Sequence, residues 1–489
     1  MSNKTIPRVV IAGLRGGSGK TIVSLSLISL FKNRGLKVSP FKKGPDYIDA
    51  GWLARAADTP CYNLDLFMMS SDQVLRSFIT RSNPPIPPFT KGGYGGISVI
   101  EGNRGLYDGI DAEGSYSTAQ LSKHLKTPVI IAIDCTKTTS TIAALVLGCQ
   151  KMDPDVVIGG VVLNRVATAR QEGVIRKAID GVCNIPVLGA IPRLKKDPFP
   201  ERHMGLVPYQ ERQGIDESMA IVGEIGNKYL DFDGIMKVAE LAGELKMSKE
   251  PCLPAGRSGG KNFALNENSE LKTQNSELKI GIIRDSAFQF YYQDNFDELE
   301  KRGAELVEVS PLKDDNLPDI DALYIGGGFP ETHAIALAEN IKFKQSLHSA
   351  VEQGLPVYAE CGGLMYLGSN IRMGETTYPM TGILPITFTL DKRPQAHGYS
   401  IVEVSQANPF FPVNTVLKGH EFHYSRVLDV GENEVIMAFN VKRGRGIRDK
   451  KDGMCYKNTF ATYTHLHASG APEWADGMVR AAKEYKKTK

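Results

Sequence analysis

The chain has 489 residues, 42% hydrophobic and 23% charged, a composition that excludes a disordered or fibrous protein and supplies more than one core. With 58 Lys and Arg against 55 Asp and Glu the net charge is +3, which provides no basic field for nucleic acid. No run reaches about 18 apolar residues, so no membrane span is expected, and the polar N-terminus lacks an export signal, which points to the cytoplasm.

The first strand expected is Arg8 to Ala12, and it opens an alternation of β-branched runs and helical stretches that continues to about residue 245. Near-continuous apolar strands at 98–101, 128–134 and 156–164 are what a parallel sheet covered on both faces requires. The Pro- and Gly-rich stretch 83–96 reads as a surface loop. From Cys252 the alternation stops, and a Gly/Pro-rich segment with a repeated Asn-Ser-Glu-Leu-Lys reads as a linker. A second alternation starts at Lys279 with strands at 279–284, 322–325 and 355–359. The expected organisation is two parallel-sheet α/β domains, 1–248 and 279–489, joined by a linker over 249–278. Seven scattered cysteines without a CxxC motif argue against both a disulfide framework and a structural zinc site.

Behind the first strand stands Gly13-Leu14-Arg15-Gly16-Gly17-Ser18-Gly19-Lys20-Thr21, a deviant phosphate loop that runs into a helix. Its glycines let backbone N–H groups point at phosphate, Lys20 can reach the terminal phosphates, and the Thr21 hydroxyl can ligate Mg²⁺. Asp46 and Asp49 follow on a strand-end turn, suited to hold a cation and orient a polyanionic substrate. Glu101 ends the next strand, where open α/β sheets bind ligands, and is read as a metal or substrate ligand. Asn164 and Pro192 end later strands on the same rim.

In the second half Val357 to Met365 runs from an apolar strand through Glu360-Cys361-Gly362-Gly363 into a helix. That is a nucleophile elbow, in which a helix N-terminus is expected to depress the Cys361 thiol pKa and the Gly362 N–H to face an oxyanion. The loop Gly326-Gly327-Gly328 offers further N–H groups. His465 is the candidate base, and alternation along a strand would put His465 and His467 on one face. The cluster Gly419 to Ser425 has no HExxH spacing and reads as a hydrogen-bonded substrate or interdomain surface rather than a metal site.

The segments Lys43 to Asp49, Glu101 to Gly109, Ala359 to Met365 and Gly419 to Ser425, found in one chain, resemble the cobyrinic acid a,c-diamide synthases over nearly the whole length. The first half resembles the dethiobiotin-synthetase-like P-loop ATPases. The second resembles the cobalamin-type class I glutamine amidotransferases, with a flavodoxin-like fold. The resemblance implies ATP-dependent amidation of the a and c carboxylates of a corrinoid, cobyrinic acid, with L-glutamine as nitrogen donor and ATP and Mg²⁺ as cofactors. By motif, Gly17, Ser18, Gly19, Lys20 and Thr21 would hold phosphates, with Thr21, Asp46 and Glu101 as metal ligands. Asn164 and Pro192 would line the adenine pocket, and Tyr47, Asp49 and Asp108 would position the corrinoid. Cys361 and His465 would release ammonia from glutamine, with Gly328 and Gly362 at the oxyanion. Self-association as a homodimer is common for amidotransferases of this size.

The family's polar trio in the phosphate loop is replaced by Leu14, Arg15 and Gly16, and His467 stands where class I amidotransferases place a Glu, so the third triad member is left unassigned. The same motifs fit nickel-sirohydrochlorin and hydrogenobyrinic acid a,c-diamide synthases, and less closely cobyric acid synthase. A partitioning-type ATPase switch accounts for the phosphate loop and leaves Cys361 without a role.

Overall fold

Val9, Val10, Ile11 and Ala12 have almost no exposed surface, and they alternate between two separate apolar clusters on opposite faces of one sheet. They come from a computed structural model that describes residues 6–82, 95–194, 199, 201–202, 205–211, 214–246, 278–431 and 435–489. Most of the loop expected at 83–96 and of the linker expected at 249–278 lies outside the described residues. The chain divides into two units, Met1–Met247 and Ser248–Lys489.

In the first unit the strands are β1 (Arg8–Gly13), β2 (Lys37–Lys43), β3 (Tyr62–Leu64), β4 (Gly96–Glu101), β5 (Val129–Asp134), β6 (Ile158–Val166) and β7 (Val187–Pro192), with a separate short pair, β8 (Glu201–Arg202) and β9 (Gly205–Leu206). The seven-stranded sheet has the order 3-2-4-1-5-6-7, and all its neighbours are parallel. The helix Lys20–Asn33 is covered on nearly every side, its Ser24 and Ser26 buried along with its apolar residues, and it is sandwiched between the sheet and the helix Ile215–Tyr229. Parallel registry brings Gly13, Lys42, Glu101, Asp134, Asn164 and Pro192 to one carboxyl rim. Open parallel sheets bind ligands at that rim.

The second unit holds β10 (Leu278–Ile283), β11 (Phe288–Phe290), β12 (Ala304–Val309), β13 (Ala322–Ile325), β14 (Gly327–Gly328), β15 (Val357–Glu360), β16 (Asn370–Met373), β17 (Thr376–Pro379), β18 (Ile386–Leu390), β19 (Ala396–Val404), β20 (Val416–His423), β21 (Ser425–Val430), β22 (Ile436–Arg443), β23 (Lys451–Tyr456), β24 (Thr459–Thr462) and β25 (His465–Leu466). Its main sheet runs 12-10-13-15-24-23-22-19-20-25. The stretch from β12 to β24 is parallel and buried between two apolar clusters. From β24 onward the pairings are antiparallel, so the parallel half is extended by an antiparallel half that folds the β20 and β25 residues back toward the end of β15. Among the described residues no helix is long and apolar enough to cross a membrane.

Candidate active sites

In the first unit, Gly17 and Gly19 take φ of +73° and +91°, the left-handed region that costs glycine little. At Gly19 there is also no room, since an added Cβ would lie 1.9 Å from Asn164 Nδ2. The Ser18 hydroxyl donates to the Arg15 carbonyl at 2.9 Å, which closes the loop, and the Lys20 ammonium donates to the carbonyls of Arg104 (2.8 Å) and Arg15 (3.3 Å). Burial, then the neighbouring Lys42, lowers the Lys20 pKa, against the pull of Glu101, Asp49 and Asp108. Arg15 is exposed and pairs with Asp134, which Arg165 also contacts.

Behind the loop lies a buried charge cluster centred on Lys42, a residue the sequence reading did not single out. Its ammonium is 2.7 Å from Asp49, 2.9 Å from Glu101 Oε1 and 3.9 Å from Asp46. Thr21 Oγ1 donates to the same Glu101 oxygen at 2.9 Å. Burial opposes the charge on Lys42, but the three carboxylates outweigh it and push its pKa well up. Burial pushes Asp46 up to about 7 with help from Asp49, and it raises Glu101 as well. Asp49 is also largely covered, yet Lys42 and its hydrogen bonds bring it below the usual carboxylate range.

Glu101 Oε2 is buried without a hydrogen-bond partner, beside the Thr21 hydroxyl. Such an orphaned carboxylate oxygen at a phosphate loop fits a hard divalent cation, so the donor set is compatible with Mg²⁺. Asp46 accepts the Asp49 N–H at 2.9 Å and begins the helix Ile48–Ala57, whose N-cap is Tyr47. Asp108 is exposed and accepts the Gly105 N–H, shaping the loop that carries the Arg104 carbonyl to Lys20. Asn164 donates its amide to the Ser18 carbonyl at 3.2 Å. In this state that amide braces the phosphate loop, whereas an adenine contact was expected of it. Pro192 ends β7 opposite Val166, at the far side of the rim.

In the second unit Cys361 has φ +48° and ψ −97°, a strained conformation for a side-chain-bearing residue and the one a sharp strand-to-helix elbow requires. The Cys361 N–H donates to the Thr462 carbonyl at 2.8 Å, and Sγ lies 3.9 Å from the Phe422 carbonyl on β20. An added Cβ on Gly362 would come within 2.8 Å of Gly328 N, so the two backbones expected to face the oxyanion abut directly. A Cβ on Gly327 would meet His465 Cε1 at 2.6 Å. The elbow, the glycine loop and His465 are thus gathered at one end of β13, β15 and β24.

Two expectations are corrected here. The thiol pKa is raised, because burial dominates and the carboxylates of Glu331, Glu360 and Glu421 add to it, while the Gly362 N–H only partly opposes them. The helix after the elbow, Gly362–Leu367, has only six residues, too short for its dipole to prevail. The strand carrying His465 ends at Leu466, and His467 falls in a turn whose carbonyl accepts from Gly470 and Ala471, so the two histidines do not share a strand face.

Glu360, quoted in the elbow but given no role, is fully buried and touches His465 Nδ1 at 3.2 Å. His420 stacks on His465 with centroids 4.8 Å apart and shares a 3.1 Å hydrogen bond with the Tyr292 hydroxyl. Glu421 accepts the N–H groups of Arg445 and Gly446, and His423 stacks on Tyr463 at 3.7 Å. The 419–425 cluster is therefore a hydrogen-bonded wall behind the thiol. Asp452, also missed, ties down the approach to His465 by accepting from Thr462, Tyr463 and Thr464.

Residues 9–207 match the CobQ/CobB/MinD/ParA nucleotide binding domain, and residues 279–473 match the CobB/CobQ-like glutamine amidotransferase domain. Curated relatives include the cobyrinate a,c-diamide synthases of Magnetococcus marinus and Archaeoglobus fulgidus, each 40% identical over 98% of this chain and 98% of its own. The cobyrinate a,c-diamide synthase of Methanothermobacter thermautotrophicus is 36% identical over 98% of this chain and all of its own.

Proposed function

The chain belongs to the cobyrinate a,c-diamide synthase family, and from that premise we propose that it amidates the a and c carboxylates of cobyrinic acid in cobalamin biosynthesis, using ATP and glutamine. The reading rests on one observation above the rest. A single chain carries both a phosphate loop backed by a buried Lys42 and acidic cluster and a strained cysteine elbow beside a carboxylate-bound histidine.

The chemistry divides between the units because a carboxylate has no leaving group of its own. In the amidotransferase unit Cys361 gives its proton to His465 and attacks the glutamine carboxamide carbon. Gly328 and Gly362 face the oxyanion. His465 returns the proton to the departing nitrogen, ammonia leaves, and water hydrolyses the thioester to glutamate. A neutral resting thiol suits this order, since the thiolate is then formed only against bound substrate.

In the first unit Gly17, Ser18, Gly19 and Lys20 would bind the ATP phosphates, and Thr21, Glu101 and Asp46 would hold Mg²⁺. The cation would draw charge from the phosphate oxygens during transfer. Lys42 holds Asp49 and Glu101 in place, and Tyr47, Asp49 and Asp108 would orient the corrinoid carboxylate that attacks the γ-phosphorus of ATP, breaking the bond to the β-phosphate and releasing ADP. The resulting acyl phosphate carries phosphate as a leaving group, and ammonia displaces it. Asn164 would exchange its bond to the Ser18 carbonyl for one to adenine, with Pro192 beside it. We place the enzyme in the cytoplasm as a homodimer.

Carboxylate oxygen labelled with ¹⁸O tests the activation step. One labelled oxygen per amide should appear in inorganic phosphate, and unlabelled phosphate would refute the acyl phosphate. Offering nickel-sirohydrochlorin and hydrogenobyrinic acid in parallel tests the macrocycle, and turnover of either in preference to cobyrinic acid would refute the substrate.

A further inference from the structure

The geometry points to Glu360, the residue immediately before the nucleophile, as the carboxylate that orients His465 and completes the amidotransferase triad. This rests on the glutamine-hydrolysing reading of Cys361 and His465. In a Cys-His hydrolase the base must present a lone pair on one ring nitrogen, and the other nitrogen is held as N–H by a carboxylate. Two residues past His465 that carboxylate is absent. His467 occupies the position and turns away, with Nδ1 accepting the Ser469 N–H and Nε2 3.2 Å from Asp294.

Glu360 supplies the missing group from the other side of the site. Its Oε2 lies 3.2 Å from His465 Nδ1 and accepts the Tyr324 hydroxyl at 3.1 Å. Its Oε1 accepts the Tyr358 hydroxyl at 3.2 Å and the Leu466 N–H at 3.1 Å. A carboxylate offers about four lone-pair directions, and here each meets one partner. The Asn295 amide donates to the Tyr324 hydroxyl, which fixes that hydroxyl as a donor toward Glu360. Burial, reinforced by Glu360 itself, pushes both tyrosines well up, so they remain protonated. An acceptor surrounded in this way requires His465 Nδ1 to carry the hydrogen, which leaves Nε2 as the basic nitrogen.

The placement follows from strand periodicity. Tyr358 and Glu360 share one face of β15, Tyr324 on β13 pairs with Tyr358, and Glu360 pairs with Thr462 at the end of β24, three residues before His465. Trp474 and Phe460 pack on Tyr358 below, so the carboxylate cannot swing into the apolar layer. Glu360 is thus a positioning residue acting through His465.

The test compares full-length Glu360→Gln, Glu360→Asp, Tyr358→Phe and Asp294→Asn with the wild type. Glutaminase and ammonia-dependent amidation are both measured, alongside thermal melts. A lost orienting carboxylate lowers kcat by about 10²- to 10⁴-fold. Glu360→Gln should show a fall in that range in glutaminase kcat, with KM for glutamine and the ammonia-dependent rate unchanged. Glu360→Asp keeps the charge and should recover part of the rate. A packing role predicts the reverse order, because Gln is the isostere, and that order would overturn the assignment. Tyr358→Phe removes one of the four donors that hold Glu360 and should lower glutaminase kcat by less than Glu360→Gln does. Asp294→Asn should stay within a few-fold of wild type, and a collapse confined to Asp294→Asn would move the role to Asp294. A wild type without glutaminase activity would refute the underlying reading, a result distinct from an active wild type matched by Glu360→Gln, which would refute only the role of Glu360.

Discussion

Replacing Lys42 with Met removes a buried cation from among three carboxylates while keeping a side chain of similar length. Lys42 and Glu101 are essentially unexposed, Asp49 and Asp46 are largely covered, and the two shortest pairs are 2.7 and 2.9 Å. Breaking a buried ion pair by removing one partner costs about 3–5 kcal/mol, because the charge left behind is neither solvated nor paired. In a unit of this size about 1 kcal/mol corresponds to 2–4 °C, so the melting point of the first unit should fall by roughly 6–20 °C. Scanning calorimetry without nucleotide or cation reads that transition.

The pH dependence has a definite sign. Burial already raises Glu101 and Asp46, and without Lys42 all three carboxyls are pushed up from their unfolded values. A raised folded-state carboxyl stabilises the fold at low pH, and that contribution is lost as pH rises through the folded pKa. The deficit of the variant should therefore be smaller at about pH 5.5 than at about pH 8. A shift below about 2 °C, or a deficit that grows on acidification, would refute the assignment of Lys42 as the neutralising centre.

Gly19→Ala should weaken ATP binding in titration calorimetry by at least about tenfold, since the new Cβ meets Asn164 at 1.9 Å and the φ of +91° is strained for alanine. Glutaminase activity of that variant should persist, and unimpaired ATP binding would contradict the loop geometry. In the free enzyme, iodoacetamide should alkylate Cys361 slowly at neutral pH, with a rate that rises about tenfold per pH unit past pH 9, because burial holds the thiol neutral. A plateau below pH 8 would mean a resting thiolate.

Both phosphate loop and elbow were legible because each is a backbone device with a fixed residue requirement. Gly17 and Gly19 sit at positive φ, Lys20 and Thr21 begin the helix, and Cys361 is followed by Gly362 and Gly363 where chains nearly touch. Lys42 and Glu360 were less legible because their meaning depends on partners distant in the chain. Lys42 reads as one of two adjacent lysines until β2 and β4 align it with Glu101. Glu360 reads as a letter in a motif until β13, β15 and β24 bring Tyr324, Tyr358 and His465 around it. The Cys361 pKa went the wrong way from sequence because local helix logic carries no information on burial or on Glu331 and Glu421. The antiparallel half of the second sheet was missed for a similar reason, since β19 alternates buried and half-buried residues and β23 opens on Lys451, Asp452 and Gly453, so neither shows the continuous apolar run of the parallel strands.

The central claim is tested most directly by incubating the full-length protein and its Cys361→Ala variant with cobyrinic acid, ATP and Mg²⁺, with either glutamine or ammonia, and counting amides by mass spectrometry. The account predicts two amides on cobyrinic acid from the wild type with either nitrogen source, and two from the variant with ammonia alone. Glutamine-dependent amidation by the variant, or a wild type that leaves cobyrinic acid unamidated with both nitrogen sources, would contradict it.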